Sequence, residues 1–323
     1  MKPKVLAITP IQHIPNVVDS LKSFSDLTII NDPSSEELRK IISGYDAIFT
    51  NPNKSKIFLG KDILSYAPNL LAIATASTGT NHIDKDYALS RNINVFSLTE
   101  EREVIRKISS TAEHAFALTL SSMRRLIQSH NQALDGEWDY TKYIGRQMNF
   151  LTIGIIGYGR LGSLYADYCK AFGSKIIVYD PYKEINVKGI KQVSNIQDLL
   201  SVADVISLHV HVNKETTNMI NYDVFSKIKN DVLIVNTSRG EIVNETDLVN
   251  FLGKNHNARY ATDVLTNEIR DRESSPLFKY AKNNDGQVII TQHIGGMTIE
   301  AQQIAYNHAA KMLGDYFAKN KIT

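Results

Sequence analysis

The sequence predicts an α/β protein built from two domains, each with a parallel β-sheet covered by helices. Short apolar segments that suit buried strands alternate with helical segments along most of the chain. This alternation is typical of parallel sheets, because the chain must cross back over the sheet before the next strand begins. A length of 323 residues is enough for two domains, and one long helical segment divides the alternation into two halves.

The first hundred residues are predicted to form a small α/β domain of their own. Helices are expected at PNVVDSLKSF and at SSEELRKIISG, which Ser34 or Ser35 would cap and Gly44 would end. Strands are expected at short runs of apolar and β-branched residues, namely VLAIT, LTIIN, AIFTN, LLAIATAS and INVFSL. This half has no glycine-rich phosphate loop.

A single long helix is predicted between the two halves, from Ser110 to Gly136, with Ser110 or Thr111 as its cap. Its apolar residues recur at helical spacing at Phe116, Leu120, Met123 and Ile127. A helix of this length would be able to bridge two domains.

The segment Leu151 to Pro181 has the pattern of a complete nucleotide-binding unit, in which a buried strand leads into a glycine-rich turn and then a helix. Gly157 would permit the tight turn, Gly159 would let the backbone approach a pyrophosphate, and Gly162 would let the helix pack close to the strand. The helix N-terminus would offer N–H groups to the phosphates. The predicted cofactor-binding residues of this unit are Gly157, Tyr158, Gly159, Arg160, Leu161, Gly162 and Asp180.

The end of the second strand of this unit favours NAD over NADP. Asp180 stands where a carboxylate accepts both ribose hydroxyls, and it would repel a 2′-phosphate. The next residues are Pro181, Tyr182 and Lys183 rather than an arginine, although Lys183 leaves NADP as an alternative. Glycine-rich turns also occur as mere tight connections, but here the strand, the helix and the acid follow in the required order.

Composition excludes several classes of partner. A formal net charge of +2 with no dense Lys/Arg run argues against nucleic acid and against an anionic membrane.

The apolar run before Pro10 is too short for a signal peptide or a membrane span, so we expect a cytoplasmic protein. The single cysteine, Cys169, favours a buried packing role. No metal site is predicted.

After the glycine loop the α/β alternation returns and predicts a doubly wound sheet. Arg239, Asp263 and His293 each follow a predicted strand, and Glu268 lies five residues after Asp263. Because parallel strands bring their carboxyl ends to one edge, we expect these side chains to converge there. Taken singly, Arg239 could instead pair with Glu241, Glu268 could be solvated, and His293 could be a core residue.

The chain resembles the D-isomer-specific 2-hydroxyacid dehydrogenases, the family that includes D-3-phosphoglycerate dehydrogenase. The resemblance covers residues 70 to 300, and three positions depart from the family pattern: Ile269 and His211 stand where proline is common, and Ser77 where glycine is usual. The phrases that carry the resemblance are GIIGYGRLG, VNTSRGEIVNE, DVLTNE and TQHIGG, with support from STGTNHID, TAEHAFALTLSSMRR and GEW.

The resemblance implies a hydride transfer between NAD(H) and C2 of a D-2-hydroxy acid or 2-oxo acid. His293 would be the general acid/base, Glu268 would pair with it, and Arg239 would hold the substrate carboxylate. The backbone of Thr78 and Gly79 would form a second carboxylate cradle. The remaining residues expected to line the cofactor site are His209, Thr237, Ser238 and Asp263.

The resemblance also implies an arrangement of domains and partners. Residues 1–105 and 296–323 would form the substrate-binding domain and residues 106–295 the NAD-binding domain, both Rossmann-like or flavodoxin-like. The apolar face of the long helix suggests a homodimer. The substrate would be a small anionic acid, with 3-phosphoglycerate or 3-phosphohydroxypyruvate first because Lys54 and Lys56 could meet a phosphate, although a solvated loop explains them too.

Two alternatives remain open. One is an NAD(H)-sensing regulator on the same fold, as in the C-terminal-binding-protein corepressors. The other is a different NAD enzyme of this scaffold, such as a formate or phosphite dehydrogenase; formate enzymes of this type normally carry longer insertions, for which this chain has little room.

Overall fold

The computed structural model of the chain describes residues 2–52, 57–269, 271–284 and 286–321. Lys54 and Lys56, the candidates for a contact with a substrate phosphate, lie outside the described residues. Within those ranges, every helix is too short or too polar to span a bilayer.

The described strands are short and pair only in parallel. Most are mainly apolar, as expected for strands that helices cover on both faces. In chain order they are β1 Lys4–Ala7, β2 Asp26–Ile29, β3 Ala47–Thr50, β4 Ala72–Thr75, β5 Asn94–Phe96, β6 Thr152–Ile156, β7 Lys175–Tyr179, β8 Ile190–Gln192, β9 Val205–Leu208, β10 Leu233–Asn236, β11 Arg259–Thr262 and β12 Val288–Ile290.

Helices connect most of these strands, and several begin with a polar side chain that caps the first turn. In chain order they are α1 Val17–Phe24, α2 Ser35–Ile41, α3 Lys61–Leu64, α4 Lys85–Ser90, α5 Arg102–Ile105, α6 Ser110–Met123, α7 Leu126–Leu134, α8 Arg160–Ala171, α9 Ile196–Leu200, α10 Tyr222–Phe225, α11 Glu245–Lys254, α12 Pro276–Asn283 and α13 Ile299–Lys319.

The chain divides into two compact units. The first unit comprises Met1–Ile108 together with Gly296–Thr323, and the second comprises Ser109–Gly295. The first unit is therefore discontinuous in sequence, since its last helix follows the whole of the second unit.

The first unit is a parallel sheet with the strand order β2-β1-β3-β4-β5. This is the order of flavodoxin-like folds. Successive residues of β1 are buried on opposite faces, with Val5 in one apolar cluster and Leu6 in the other. Helix α13 covers the face of Val5, where Leu313 and Phe317 are buried.

The second unit is a parallel sheet with the strand order β12-β11-β10-β9-β6-β7-β8. The order reverses direction beside β6, as in a doubly wound sheet, and ligands bind such sheets outside the carboxyl ends at the reversal. Apolar clusters cover both faces of this sheet. The predicted fold class, two parallel-sheet α/β domains of which one is doubly wound, is thus confirmed.

The prediction of one continuous helix from Ser110 to Gly136 was wrong. Helix α6 ends at Met123 and α7 begins at Leu126, because Arg125 adopts a left-handed backbone conformation with φ of 48°. The guanidinium of Arg125 donates to the carbonyl of Lys142 at 3.0 Å. The predicted caps were also wrong: residue Ser109 occupies the N-cap position, and its hydroxyl donates to Glu113 Oε1 at 2.5 Å.

Leu313→Ala should destabilise the first unit strongly, since Leu313 has no exposed surface and its loss leaves a cavity beneath α13. We expect a loss of about 2–5 kcal/mol in the free energy of unfolding, measured by urea denaturation. Ile299→Ala on the same helix is the matched control, because Ile299 is 72% exposed and should cost less than about 0.5 kcal/mol. Equal effects of the two variants would contradict a core role for α13.

Candidate active site

The glycine loop follows β6 at the edge of the second sheet. Gly157 has φ of 91°, in the left-handed region that favours glycine. A β-carbon on Gly157 would collide with the carbonyl oxygen of His209, and one on Gly162 would collide with the carbonyl oxygen of Gly157. A β-carbon on Gly159 would meet no atom within 4 Å. Two of the glycines are thus required by packing, and the third leaves open space beside the loop.

This open space lies at the beginning of α8, whose N-cap is Gly159. No side chain caps this helix, so the N–H groups of its first turn face the position that a phosphate occupies in such loops. Thr237, which follows β10, has a buried hydroxyl with no hydrogen-bond partner among the described residues. A dinucleotide fits these features, because it supplies both an anion for the helix and polar atoms for the hydroxyl.

The backbone holds Asp180 at the end of β7. Its Oδ2 accepts from the N–H of Tyr158 at 2.8 Å and its Oδ1 from the N–H of Tyr182 at 3.0 Å. An ionised carboxylate has about four acceptor positions, so two remain for ribose hydroxyls. Lys183 donates to the carbonyl of Tyr158 at 3.2 Å and lies 5.1 Å above its ring. The ammonium group is therefore already bound to the glycine loop, which supports NAD over NADP.

The structure places His293 and Glu268 in direct contact. Nδ1 of His293 lies 2.6 Å from Oε1 of Glu268, and both side chains are only about one-fifth exposed. The second carboxylate oxygen, Oε2, accepts from the N–H of Leu265 at 3.2 Å. A carboxylate beside one ring nitrogen fixes the orientation of the imidazole.

Arg239 follows β10 in a turn that side chains hold closed. The amide of Asn236 donates to the carbonyl of Arg239 at 2.9 Å and accepts from the N–H of Ser238 at 3.0 Å. The Ser238 hydroxyl donates to the carbonyl of Leu208 at 2.8 Å, which ties this turn to the end of β9. Arg239 is half-buried, and one of its terminal nitrogens donates to the carbonyl of Ser238 at 2.6 Å.

Asp263 is engaged by the protein itself. Its Oδ1 accepts from the N–H of Ile294 at 2.8 Å and from Thr291 at 2.5 Å, and its Oδ2 accepts from the N–H of Gly295 at 2.7 Å. His114 of α6 lies 3.3 Å from Oδ1. Burial alone would raise the pKa of Asp263, but these hydrogen bonds outweigh it and lower the pKa below its usual value.

Asp263 therefore anchors the turn that carries His293. That residue lies between Thr291 and Ile294 and has a left-handed backbone with φ of 55°, an uncommon conformation for a residue other than glycine. The sequence indicated Asp263 only as a cofactor neighbour. His114 contacts both Asp263 and Thr291 within the second unit.

Thr78 and Gly79 lie after β4 in the first unit. The Thr99 hydroxyl donates to the carbonyl of Thr78 at 2.6 Å, and the Ser77 hydroxyl donates to the carbonyl of Gly79 at 2.7 Å. Neither backbone N–H of this pair donates a hydrogen bond within the described parts of the chain. Two held peptide groups with available N–H groups suit the binding of a carboxylate.

A family model confirms what these features suggest. The model of the D-isomer specific 2-hydroxyacid dehydrogenase NAD-binding domain matches residues 116–295. The chain belongs to this family. NAD is accordingly the cofactor.

Curated relatives agree with this assignment. The chain is 31% identical over 300 residues to D-3-phosphoglycerate dehydrogenase of Mycobacterium tuberculosis, covering 92% of this chain and 54% of that protein. It is 32% identical over 339 residues to glyoxylate reductase of Thermococcus litoralis, covering 100% of this chain and 96% of that protein. The chain thus spans about half the length of the phosphoglycerate dehydrogenases that it matches.

Solved structures of the family have the same fold. The crystal structure of D-lactate dehydrogenase from Aquifex aeolicus, in complex with NAD and lactic acid, matches with a TM-score of 0.78 and 28% identity. The match covers 98% of this chain and 96% of that one.

His209 follows β9 beneath the glycine loop of this family's cofactor domain. Its Nε2 lies 2.8 Å from the hydroxyl of Ser207, and its ring centroid lies 5.1 Å from that of Tyr165. Burial lowers the pKa of His209 to about 4. The imidazole is therefore neutral at neutral pH and gives no positive charge to a pyrophosphate.

The low pKa of His209 predicts how the free energy of unfolding changes at acid pH. An unfolded histidine has a pKa of about 6.5, so between about pH 6.5 and pH 4 the unfolded chain binds a proton that the folded chain does not. The free energy of unfolding therefore decreases as the pH falls through this range. On acidification from pH 7.5 to 5.0, His209→Gln should lose about 2 kcal/mol less unfolding free energy than the wild type, measured by urea denaturation.

The control for this measurement is His256→Gln, since His256 is exposed in the second unit outside the segment from α7 to β6. This variant should lose as much stability as the wild type. If His209→Gln lost as much stability on acidification as the wild type, the His209 ring would not be desolvated in the folded protein.

Proposed function

We propose that the chain interconverts a D-2-hydroxy acid and its 2-oxo acid by hydride transfer at C2. The observation that carries this proposal is the contact of His293 with Glu268 at 2.6 Å, in the same unit as the glycine loop. Arg239 belongs to the same edge, because its neighbour Gly240 packs directly on the backbone of Leu265.

Each side chain has a task in this reaction. NAD, when bound, supplies or accepts the hydride. The guanidinium of Arg239 binds the substrate carboxylate through parallel N–H donors and so orients the 2-oxo group. His293 holds a proton on Nε2 and gives it to the carbonyl oxygen in reduction, or removes it from the hydroxyl in oxidation. Glu268 accepts from Nδ1 of His293, which keeps Nε2 as the nitrogen that exchanges the proton.

We assign NAD binding to the second unit and a further set of substrate contacts to the first. The N–H groups of Thr78 and Gly79 support the second assignment, since they suit a carboxylate. The substrate is a small anionic acid. The names of the relatives suggest 3-phosphohydroxypyruvate, glyoxylate and pyruvate as the first candidates, with the phosphorylated acid first.

His293→Ala should lower kcat for reduction by roughly 10²- to 10⁴-fold, because the proton donor is lost. The measurement is the loss of NADH absorbance with a panel of 2-oxo acids. The affinity for NADH should change less than about twofold, since His293 acts on the substrate oxygen rather than on the cofactor.

His256→Ala is the control for this variant, because His256 is exposed elsewhere in the second unit, and it should keep full activity. A His293→Ala enzyme as active as the wild type would contradict the proposed role. Tight NADH binding without turnover of any 2-oxo acid, formate or phosphite would favour the regulator instead.

We also propose a homodimer formed through the second unit. Large apolar side chains are exposed along the segment from α7 to β6, among them Leu134 at 74%, Trp138 at 90% and Ile144 at 71%. Apolar surface of this extent marks protein interfaces, and identical chains most often pair about a two-fold axis.

Leu134→Asp should therefore convert a dimer into a monomer, because each copy would bury a charge at the interface. Light scattering after gel filtration measures the mass. Leu89→Asp is the matched control, since Leu89 is a leucine with the same 74% exposure in the first unit. A wild-type monomer, or a dimer that survives Leu134→Asp, would contradict this interface.

A further inference from the structure

We propose that Glu245 is a positioning residue that holds Glu268 against His293. This inference rests on the proposed function, in which His293 moves the proton. Glu245 does not contact His293 or Glu268 in any described hydrogen bond, so its action would pass through the chain segment that carries Glu268.

Glu245 accepts hydrogen bonds from this segment on both sides of Glu268. It is the first residue of α11 and is 7% exposed. Its Oε1 accepts from the backbone N–H of Thr266 at 2.9 Å, and its Oε2 accepts from the hydroxyl of Ser275 at 2.6 Å. One carboxylate thereby fixes a residue two positions before Glu268 and another seven positions after it.

Gly240 forms a second contact with the same segment. A β-carbon on Gly240 would collide with the carbonyl carbon of Leu265 and the backbone nitrogen of Thr266. The N–H of Leu265 in turn donates to Oε2 of Glu268 at 3.2 Å. Gly240 and Glu245 therefore contact the Leu265–Thr266 peptide group, which directly follows the N–H that Glu268 accepts from.

The described contacts of the Glu245 carboxylate are with neutral donors. Within the described residues, no Lys, Arg or His nitrogen lies within 4.0 Å of its carboxylate. A buried carboxylate without a cation is costly unless hydrogen bonds compensate for the loss of water. What a carboxylate offers is two oxygens that hold two separate donors at fixed positions.

The first test is amide hydrogen exchange, which requires no activity. Glu245→Ala should speed exchange in peptides that cover residues 264–268, because the acceptor of the Thr266 N–H is lost. The matched control is Asp247→Asn on the same helix, whose carboxylate accepts from the N–H of Tyr222 at 3.0 Å and does not touch this segment. Unchanged exchange in Glu245→Ala would overturn the proposal.

The second test is a double-mutant cycle on kcat. Glu245→Ala should lower kcat about tenfold in the wild type and less than about twofold in a Glu268→Gln background, because a residue that acts through Glu268 has nothing further to lose. Asp247→Asn should change kcat less than about twofold in both backgrounds. An equal loss in the two backgrounds would show that Glu245 does not act through Glu268.

Two further variants keep the proposal testable if the Glu245→Ala protein does not fold. Ser275→Ala removes one of the two contacts and should give a smaller loss of the same kind. Glu245→Gln should restore most activity, since its amide can accept from Thr266 and donate to Ser275. If the wild type turns over no 2-oxo acid, the proposed function fails, while hydrogen exchange still decides whether Glu245 holds the segment.

Discussion

The parallel register of the second sheet is the constraint on which the site depends. The last residues of five neighbouring strands pair directly: Ile156 with Leu208, Leu208 with Asn236, Asn236 with Thr262, and Thr262 with Ile290. The residues that follow these strand ends therefore start from one edge of the sheet. They are Gly157, His209, Thr237, Asp263 and Thr291.

Polar side chains at this edge turn the strand ends into defined loops. Asn236 and Thr262 are fully buried. Asn236 closes the turn of Arg239, and the Thr262 hydroxyl lies 2.8 Å from the carbonyl oxygen of Val264 and 3.0 Å from that of Asn236. A buried polar group without partners would be costly, so these bonds are both required and specific. The loops after β10 and β11 are consequently fixed by residues that belong to the strands themselves.

The sequence predicts the features that are local. The glycine loop, the terminal acid Asp180 and the order of strands and helices depend on residues close in sequence. Arg239, Glu268 and His293 could be proposed because each lies in or just after a motif at a strand end, but their contact geometry could not. The contacts of Glu245 and His114 were missed, since their partners lie far away in the chain: Ser275 is 30 positions from Glu245, and Thr291 is 177 positions from His114.

The break between α6 and α7 shows a second limit. Hydrophobic periodicity records which face of a segment is buried, and apolar residues recur on both sides of Arg125. A single left-handed residue changes the direction of the chain but leaves the spacing of the apolar residues nearly unchanged. The periodicity therefore predicted helical structure correctly but could not locate the interruption, which depends on a single backbone dihedral angle.

Two histidine–carboxylate pairs of the second unit differ in their exposure to solvent. Asp263 is 2% exposed and receives two backbone hydrogen bonds in addition to those from side chains, so its carboxylate holds the turn before and after His293. Glu268 and His293 are 19% and 23% exposed. A group that exchanges a proton with a ligand must remain accessible, whereas an anchor is strongest when water is excluded. The buried pair thus fixes the backbone that carries the more accessible His293.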